Sequence, residues 1–482
     1  MKKSDIGVIG LAVMGENLVL NMEDKGFTVS VFNRTTQRVS SFLETRAMGK
    51  NILGAYTLDE FVQQLTRPRK VMLLVKAGDA VDDLIDTLVP LLEPGDIIID
   101  GGNSNYQDTI RRTKLVESKG LLYVGTGVSG GEEGALLGPS MMPGGSQSAW
   151  QYIMPIFQAI CAKVDDTPCC EWLGGNGAGH YVKMVHNGIE YGDMQIICEM
   201  YQLMRDLLGM NAGDISKVFS RWNETDLSSY LIEITAEILG FINETGTYEV
   251  DRILDTAGQK GTGKWTSVAA LDLGVPLTLI CESVFSRCLS SLKDERVAAA
   301  KLIHKKASAF CGDRDALVDD IGKALLASKI ISYAQGFSLL KAASAVYGWG
   351  LDCGTIALIW RGGCIIRSVF LNRIKEAFDL EPGLDNLILS CYFQQKLEES
   401  LDAWRRVAAI ALIHGIPAPA ICSALTYFDG YTCSSLPVNL MQAQRDYFGS
   451  HMYERLDAPR GKFFHTNWTG RSGETSATIY SV

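Results

Sequence analysis

From Ile6 to about Gly175 short apolar runs alternate with amphipathic segments, and beyond Gly179 the short runs stop. That switch constrains the fold more than any other feature of the chain. Alternation of this kind belongs to a parallel sheet wrapped by helices. Strands are expected at Ile6–Ile9, Val29–Phe32, Val71–Val75, Ile97–Asp100 and Leu121–Val124. Apolar residues then recur three and four apart through Val182–Leu208 and Ala324–Val346, which predicts a largely helical second part. From about Pro437 to Val482 the chain is rich in Gly, Thr, Arg, His and aromatic residues with little periodicity, as in a tail that finds its core on another surface. The expected organisation is therefore 1–177, 178–436 and a tail over 437–482.

Composition narrows the partners. In 482 residues, 45 Lys and Arg stand against 55 Asp and Glu, a net charge of −10. Nucleic acid and anionic membrane surfaces are poor partners for such a chain, because binding to them rests on Lys and Arg neutralising phosphates. A small anionic substrate needs only local positive charge. The 12 cysteines show no C-x-x-C spacing, so reduced cytosolic thiols are expected rather than a zinc site or a disulfide scaffold. The first strand is placed at Ile6, five residues after Met1, so no signal peptide is expected. No address signal is expected at Ile479, Tyr480, Ser481 and Val482 either. Val407–Phe428 contains no charged residue, but His414, Gly415, Pro417 and Pro419 interrupt it. A buried core helix that breaks near Gly415 is the expectation there, not a membrane span.

The loop Gly10-Leu11-Ala12-Val13-Met14-Gly15 follows the first strand and opens a helix running toward Lys25. It is the dinucleotide fingerprint G-x-G-x-x-G with Ala12 as its second member. Gly10 permits the tight turn, a small residue at position 12 lets a pyrophosphate approach the backbone, and the helix N-terminus supplies free N–H groups. NAD-binding domains place a carboxylate at the end of the second strand for the ribose hydroxyls. This chain has Asn33, Arg34 and Thr35 there, and a guanidinium grips a 2′-phosphate, so NADP is favoured.

Farther along, Lys183, His186, Asn187, Glu190 and Tyr191 fall on one stripe of a helix whose other residues include Val182, Met184, Val185 and Ile189. A lysine titrates at about 10.4, so it serves as a base only when desolvated or set near other positive charge. Lys183 and Glu190 are candidates for a base and an acid about 10 Å apart along the axis. Two glycine-rich segments, Asp100-Gly101-Gly102-Asn103-Ser104 and Gly127-Val128-Ser129-Gly130-Gly131, follow strands on the side where open α/β sheets bind ligands. Backbone N–H groups around Ser129, Gly130 and Gly131 suit a carboxylate. The run Gly258 to Lys264 imitates a phosphate-binding loop, but Trp265 stands where Ser or Thr would ligate magnesium, which argues against an NTPase. Lys260 remains available to a substrate phosphate.

With these motifs in order, the chain resembles the NADP-dependent, decarboxylating 6-phosphogluconate dehydrogenase family over essentially its whole length. The most specific segments are Gly10–Asn17, Asp100–Tyr106, Val128–Glu133, His180–Asp193, Ala257–Thr266, Arg445–Gly449 and Phe463–Gly470. The resemblance implies an α/β Rossmann-like N-terminal domain, a large all-α domain and a C-terminal tail that penetrates the other subunit of a cytoplasmic homodimer. It implies that Lys183 is the base and then the acid, and that Glu190 is the second acid, in converting 6-phosphogluconate to ribulose 5-phosphate, carbon dioxide and NADPH. Asn103, Ser129, Gly130, Gly131, His186 and Asn187 are implied to hold the sugar acid, and Tyr191, Lys260 and Arg287 its phosphate. Arg445 and His451 resemble residues donated by the second subunit. Cofactor contacts are implied at Gly10, Leu11, Ala12, Val13, Met14, Gly15, Asn33, Arg34, Thr35, Val75, Lys76, Ala77 and Asn103. No metal is expected, since the lysine itself polarises the keto group.

Two other readings compete. A β-hydroxyacid dehydrogenase acting on an unphosphorylated acid would share the glycine loop and the helical lysine, and an inactive NADP-binding protein would share the fold. The first is opposed by the extra helical length and the tail, the second by the pair Lys183 and Glu190. One residue departs from the family pattern: Glu16 stands in the first helical turn, where a neutral amide is common. A negative charge there opposes the pyrophosphate, so Glu16→Gln is expected to bind NADP more tightly in a titration. An unchanged affinity would remove the idea.

Overall fold

The computed structural model describes residues 3–303 and 310–470. The chain end at Ile479–Val482 lies outside the described residues. Seven strands form the main sheet: β1 (Ile6–Ile9), β2 (Val29–Phe32), β3 (Ile52–Gly54), β4 (Lys70–Leu73), β5 (Ile97–Asp100), β6 (Leu122–Ser129) and β7 (Ser140–Gly145). Their order is β3-β2-β1-β4-β5-β6-β7, with all pairs parallel except β6 against β7. Between them run α1 (Val13–Asp24), α2 (Thr36–Glu44), α3 (Leu58–Gln63), α4 (Asp79–Leu88), α5 (Tyr106–Glu117) and α6 (Gly131–Leu137), and α7 (Trp150–Ile160) follows β7. The strands read as unbroken apolar runs because both faces are covered. In β5, Ile97 and Ile99 join a core with Leu18, Met22 and Phe157, while Ile98 joins the opposite core with Phe61, Ile85 and Tyr123.

Five strands stand close to their expected places. Strands β3 and β7 escaped the sequence pattern, the first because it is three residues long and the second because Met141 and Met142 are followed by Pro143 and two glycines. A further correction concerns Gly127-Val128-Ser129, expected in a loop: β6 runs on through Ser129, paired Gly127 to Met142 and Ser129 to Ser140.

The rest is helical: α8 (Ala178–Gln202), α9 (Ala212–Trp222), α10 (Tyr230–Gly240), α11 (Thr262–Asp272), α12 (Thr278–Ser291), α13 (Lys293–Leu302), α14 (Arg314–Tyr347), α15 (Cys353–Ile359), α16 (Leu371–Leu380), α17 (Cys391–Ile413), α18 (Pro419–Tyr431) and α19 (Val438–Gly449). A π turn, Leu203–Leu207, prolongs α8. The apolar stretch after Val407 breaks at His414 to Ala418, with Gly415 at φ 68°, and α18 begins on Pro419. Its first turn is held by Glu199 of α8, whose carboxylate accepts from the Ala420 and Ile421 amides at 2.9 Å each. No helix among the described residues is long and apolar enough to cross a membrane.

Two compact units emerge, Met1–Ala424 and Leu425–Val482. The second corrects the expectation of an irregular tail, since it contains α19 and a hairpin of Tyr453–Glu454 with Phe463–Phe464. Asp446 organises it, accepting from the Thr466 amide at 3.0 Å and the Trp468 indole at 2.9 Å. Helical periodicity was hard to read there because Leu440, Met441, Tyr447 and Phe448 are all exposed, with no buried stripe to mark a face.

In the first unit α14 packs along both α8 and α17. An ion pair sealed between α8 and α14 joins Asp193 Oδ2 to Lys329 Nζ at 2.5 Å, with both side chains almost completely buried. Removing one partner strands the other charge, so Lys329→Ala should lose roughly 3–5 kcal/mol in denaturant unfolding, and Asp193→Leu with Lys329→Met should recover most of it. A Lys329→Ala protein as stable as the parent would show that the pair does not hold these helices.

Candidate active site

The glycine loop behaves as its chemistry requires. Gly10 sits at φ 110°, and a Cβ there would lie 2.4 Å from the Leu74 carbonyl oxygen, so neither the turn nor the approach of β4 admits a side chain. Gly15 serves packing instead: its Cβ would meet the Gly10 carbonyl oxygen at 1.9 Å. Asn33 pins the loop, accepting from the Leu11 amide at 3.0 Å and donating to the Thr35 carbonyl at 3.1 Å.

A cleft of about 640 Å³ opens over this loop, lined by Gly10, Leu11, Ala12, Asn33, Arg34, Thr35, Val75 and Lys76 among the expected cofactor residues. Val13, Met14, Gly15, Ala77 and Asn103 are not in its wall. The residues present suit a dinucleotide phosphorylated on its ribose, because two guanidinium groups and no carboxylate stand just beyond β2. The second is Arg38, which the sequence reading missed. It lines the same cleft and donates to the Leu11 carbonyl at 3.2 Å. A second basic residue four positions after Arg34 was the available signal. Glu16 is paired with Arg46 at 2.8 Å, which offsets its charge and reduces the effect expected of Glu16→Gln.

The polar stripe of α8 faces β6 and is largely buried. Lys183 Nζ donates to Ser129 Oγ at 3.0 Å and lies 3.2 Å from His186 Nδ1. His186 Nδ1 is also 3.1 Å from Asn187 Oδ1 and 3.8 Å from Glu190 Oε2, and its Nε2 is 3.4 Å from Ser129 Oγ. The imidazole is fully buried, edge-on to Trp360 with ring centres 5.7 Å apart. Burial, reinforced by the Lys183 charge, pushes His186 far below its usual range, so the ring is neutral. Burial likewise lowers Lys183, opposed in part by Glu190, and raises Glu190, opposed in part by Lys183 and Arg287. The base candidate and the acid candidate are each moved toward the uncharged form.

Gly130 and Gly131 continue from Ser129 at φ 116° and 64°, and Gly130 packs against the Gly363 carbonyl, to which an added Cβ would stand 2.7 Å away. That contact brings in Arg361–Arg367, a segment unmarked by any sequence motif; its Cys364 is buried, and burial pushes the thiol up to about 12, leaving it protonated. Asn103 is exposed at the tip of the loop after β5. Tyr191 is buried beneath Arg287, whose guanidinium lies 3.5 Å from the ring centre. Lys260 is exposed in the loop before α11, whose first residue, Thr262, follows Gly261 at φ 99°. Thus Ser129, Lys183, His186, Asn187 and Glu190 form one cluster, and Tyr191 and Arg287 form a pair. Arg445 and His451 belong to the second unit, where Arg445 donates to Gln442 at 2.8 Å. No group of three His, Cys, Asp or Glu side chains able to hold a metal occurs among the described residues.

Comparison with known proteins gives concordant matches along the chain. Residues 5–174 match the NAD binding domain of 6-phosphogluconate dehydrogenase, and residues 179–468 match the C-terminal domain of 6-phosphogluconate dehydrogenase. The decarboxylating 6-phosphogluconate dehydrogenases of Haemophilus influenzae and Homo sapiens are 59% and 57% identical, covering all of this chain and 99% and 100% of theirs. Among solved structures, the Plasmodium falciparum 6-phosphogluconate dehydrogenase, described alone, with its cofactor NADP+ and with its substrate 6-phosphogluconate, is 45% identical with a TM-score of 0.93, over 96% of this chain and 100% of that one. Two family models that between them span almost the whole chain, with relatives this similar over their full length, place the chain in the 6-phosphogluconate dehydrogenase family.

Proposed function

We propose that the chain oxidises and decarboxylates 6-phosphogluconate to ribulose 5-phosphate and carbon dioxide, with NADP as oxidant. The observation that carries this reading is the buried Lys183, held between Ser129 Oγ and His186 Nδ1 and driven toward its neutral form. Residues 1–177 hold the cofactor, 178–436 supply the catalytic helix and the dimer contacts, and the tail after 437 reaches the partner subunit of a cytoplasmic homodimer. Support for the cofactor comes from the Arg34 and Arg38 guanidiniums over the cleft. Gly10, Leu11, Ala12, Asn33, Arg34, Thr35, Val75 and Lys76, which line the cleft, hold NADP, which supplies the hydride acceptor.

Neutral Lys183 takes the proton of the C3 hydroxyl as C3 is oxidised, giving a β-keto acid. The resulting ammonium then donates to the C3 oxygen while the C1–C2 bond breaks and carbon dioxide leaves, because the developing enolate needs a donor in a dry site. Glu190, whose protonated form burial favours, delivers its proton to the carbon of the enediol that becomes C1 of ribulose 5-phosphate. Asn103, Ser129, Gly130, Gly131, His186 and Asn187 orient the acid and hydroxyl end. Tyr191, Lys260 and Arg287 take the phosphate, joined by Arg445 and His451 from the other subunit.

The reaction is tested by following reduced-cofactor formation from 6-phosphogluconate with NADP and NAD in parallel, under a chelator, while trapping carbon dioxide. NADPH and carbon dioxide in equal amounts are expected, with NAD much slower; activity confined to an unphosphorylated hydroxy acid would refute the phosphate site. Lys183→Ala should lose roughly 10²- to 10⁴-fold or more in both oxidation and decarboxylation. Glu190→Ala should bind substrate normally and fail mainly at the final protonation. Because the base form of Lys183 disappears as pH falls through its lowered pKa, the single-turnover oxidation rate should drop on acidification. A midpoint near the ordinary lysine value of about 10.4 would contradict the assignment.

A further inference from the structure

One buried arginine ties the loop that brings Val75 and Lys76 to the cofactor cleft to the loop after β5 that carries Asn103. Arg112, on α5, is completely inaccessible, as is unusual for a guanidinium. Its Nε and Nη2 donate to both oxygens of Asp82, at 3.0 and 2.8 Å, and Nη2 also donates to the Gly78 carbonyl at 3.0 Å. Asp82 and Gly78 form the start of α4, directly after Val75-Lys76-Ala77. From its other end, Nη1 reaches Ser104 Oγ at 3.4 Å and Asp100 Oδ2 at 3.5 Å. Asp100 in turn shapes the loop that carries Asn103: Oδ1 accepts from the Gly102 amide at 3.0 Å, and Oδ2 accepts from Ser104 Oγ at 2.6 Å and Tyr123 OH at 3.1 Å. The two loops touch as well, since a Cβ on Gly102 would stand 3.3 Å from the Val75 carbonyl oxygen. Helix α5 extends the frame to the catalytic helix through Thr109 Oγ1, which is 2.7 Å from Nδ1 of His180, one turn before Lys183.

We propose that Arg112 is a positioning residue for hydride transfer, fixing the Val75–Gly78 and Gly101–Ser104 loops to each other so that cofactor and sugar acid are presented to Lys183 at one spacing. The proposal rests on the reading that these loops face NADP. A planar fork with five donors spans both loops at once, whereas a lysine ammonium in its place would satisfy one side and release the other. Such a side chain has no contact with the reacting atoms, and its influence is carried by the loops.

Arg112→Lys and Ser104→Ala test this in the full-length enzyme. Expected for Arg112→Lys are a roughly 10-fold higher KM for NADP and a kcat lowered by roughly 10- to 100-fold, with an increased primary isotope effect on substrate deuterated at C3. Ser104→Ala, a small change that leaves the Asp82 pairing intact, should move the same quantities in the same direction by less, and it decides the matter if Arg112→Lys does not fold. The rise in melting temperature on adding NADP should shrink in both variants. A lower melting temperature with unchanged KM, isotope effect and NADP-induced increment would overturn the proposal and leave Arg112 a purely structural residue. If the unaltered enzyme itself gains no stability from NADP, the cofactor reading fails instead.

Discussion

The candidate active cluster depends on how closely α8 can lie on the sheet. At Gly127 an added Cβ would stand 2.3 Å from the Cβ of Lys183, and at Gly125 it would stand 2.8 Å from His180 Nδ1. In the helix, a Cβ on Gly179 would meet the carbonyl oxygens of Gly125 and Met142 at 2.3 Å each. Glycine on both sides of the contact lets backbone approach backbone, and the first turns of α8 settle against β6 and β7. That approach brings Lys183 to Ser129 at the end of the same strand. Any side chain at Gly127 would push the helix away and with it the ammonium.

Electrostatics follows from this packing. A lysine, a histidine and a glutamate on successive turns would be fully ionisable in water. Packed between β6 and the Trp360 region they lose solvation, and each is driven toward its neutral form. Burial raises the neighbouring Asp193 as well, and its contact with Lys329 opposes that shift. One helix therefore carries a buried acid bridged to α14 and, a turn away, the candidate base and acid.

Much of this was legible in the sequence because its periodicities are local. Apolar runs at Ile6, Val29 and Ile97 mark both-face-buried strands, the stripe Lys183 to Tyr191 follows from helical spacing, and Asn33-Arg34-Thr35 reports the cofactor preference by charge alone. Strand β7 was not legible, since Pro143 and two glycines give no strand signal and its pairing with β6 is tertiary. Arg38 was overlooked although its spacing from Arg34 was visible, and Arg112 carried no signal at all, because a charged residue on an amphipathic helix normally faces water. The segment Arg361–Arg367 carried no motif, and the exposed apolar residues of α19 hid its helical periodicity.

Sequence alone determined five of the seven strands of the main sheet, the switch to helices, the glycine turn, the basic residues beyond β2 and the identity of the candidate base and acid. These depend on side-chain chemistry and on spacings of a few residues, which the chain carries in any conformation. Tertiary structure alone decided that Lys183 meets Ser129 across 54 positions, that His186 is dry, and that Arg112 binds two loops at once. Desolvation and long-range hydrogen bonds exist only when distant segments exclude water from one another, and no local pattern records which segments those will be.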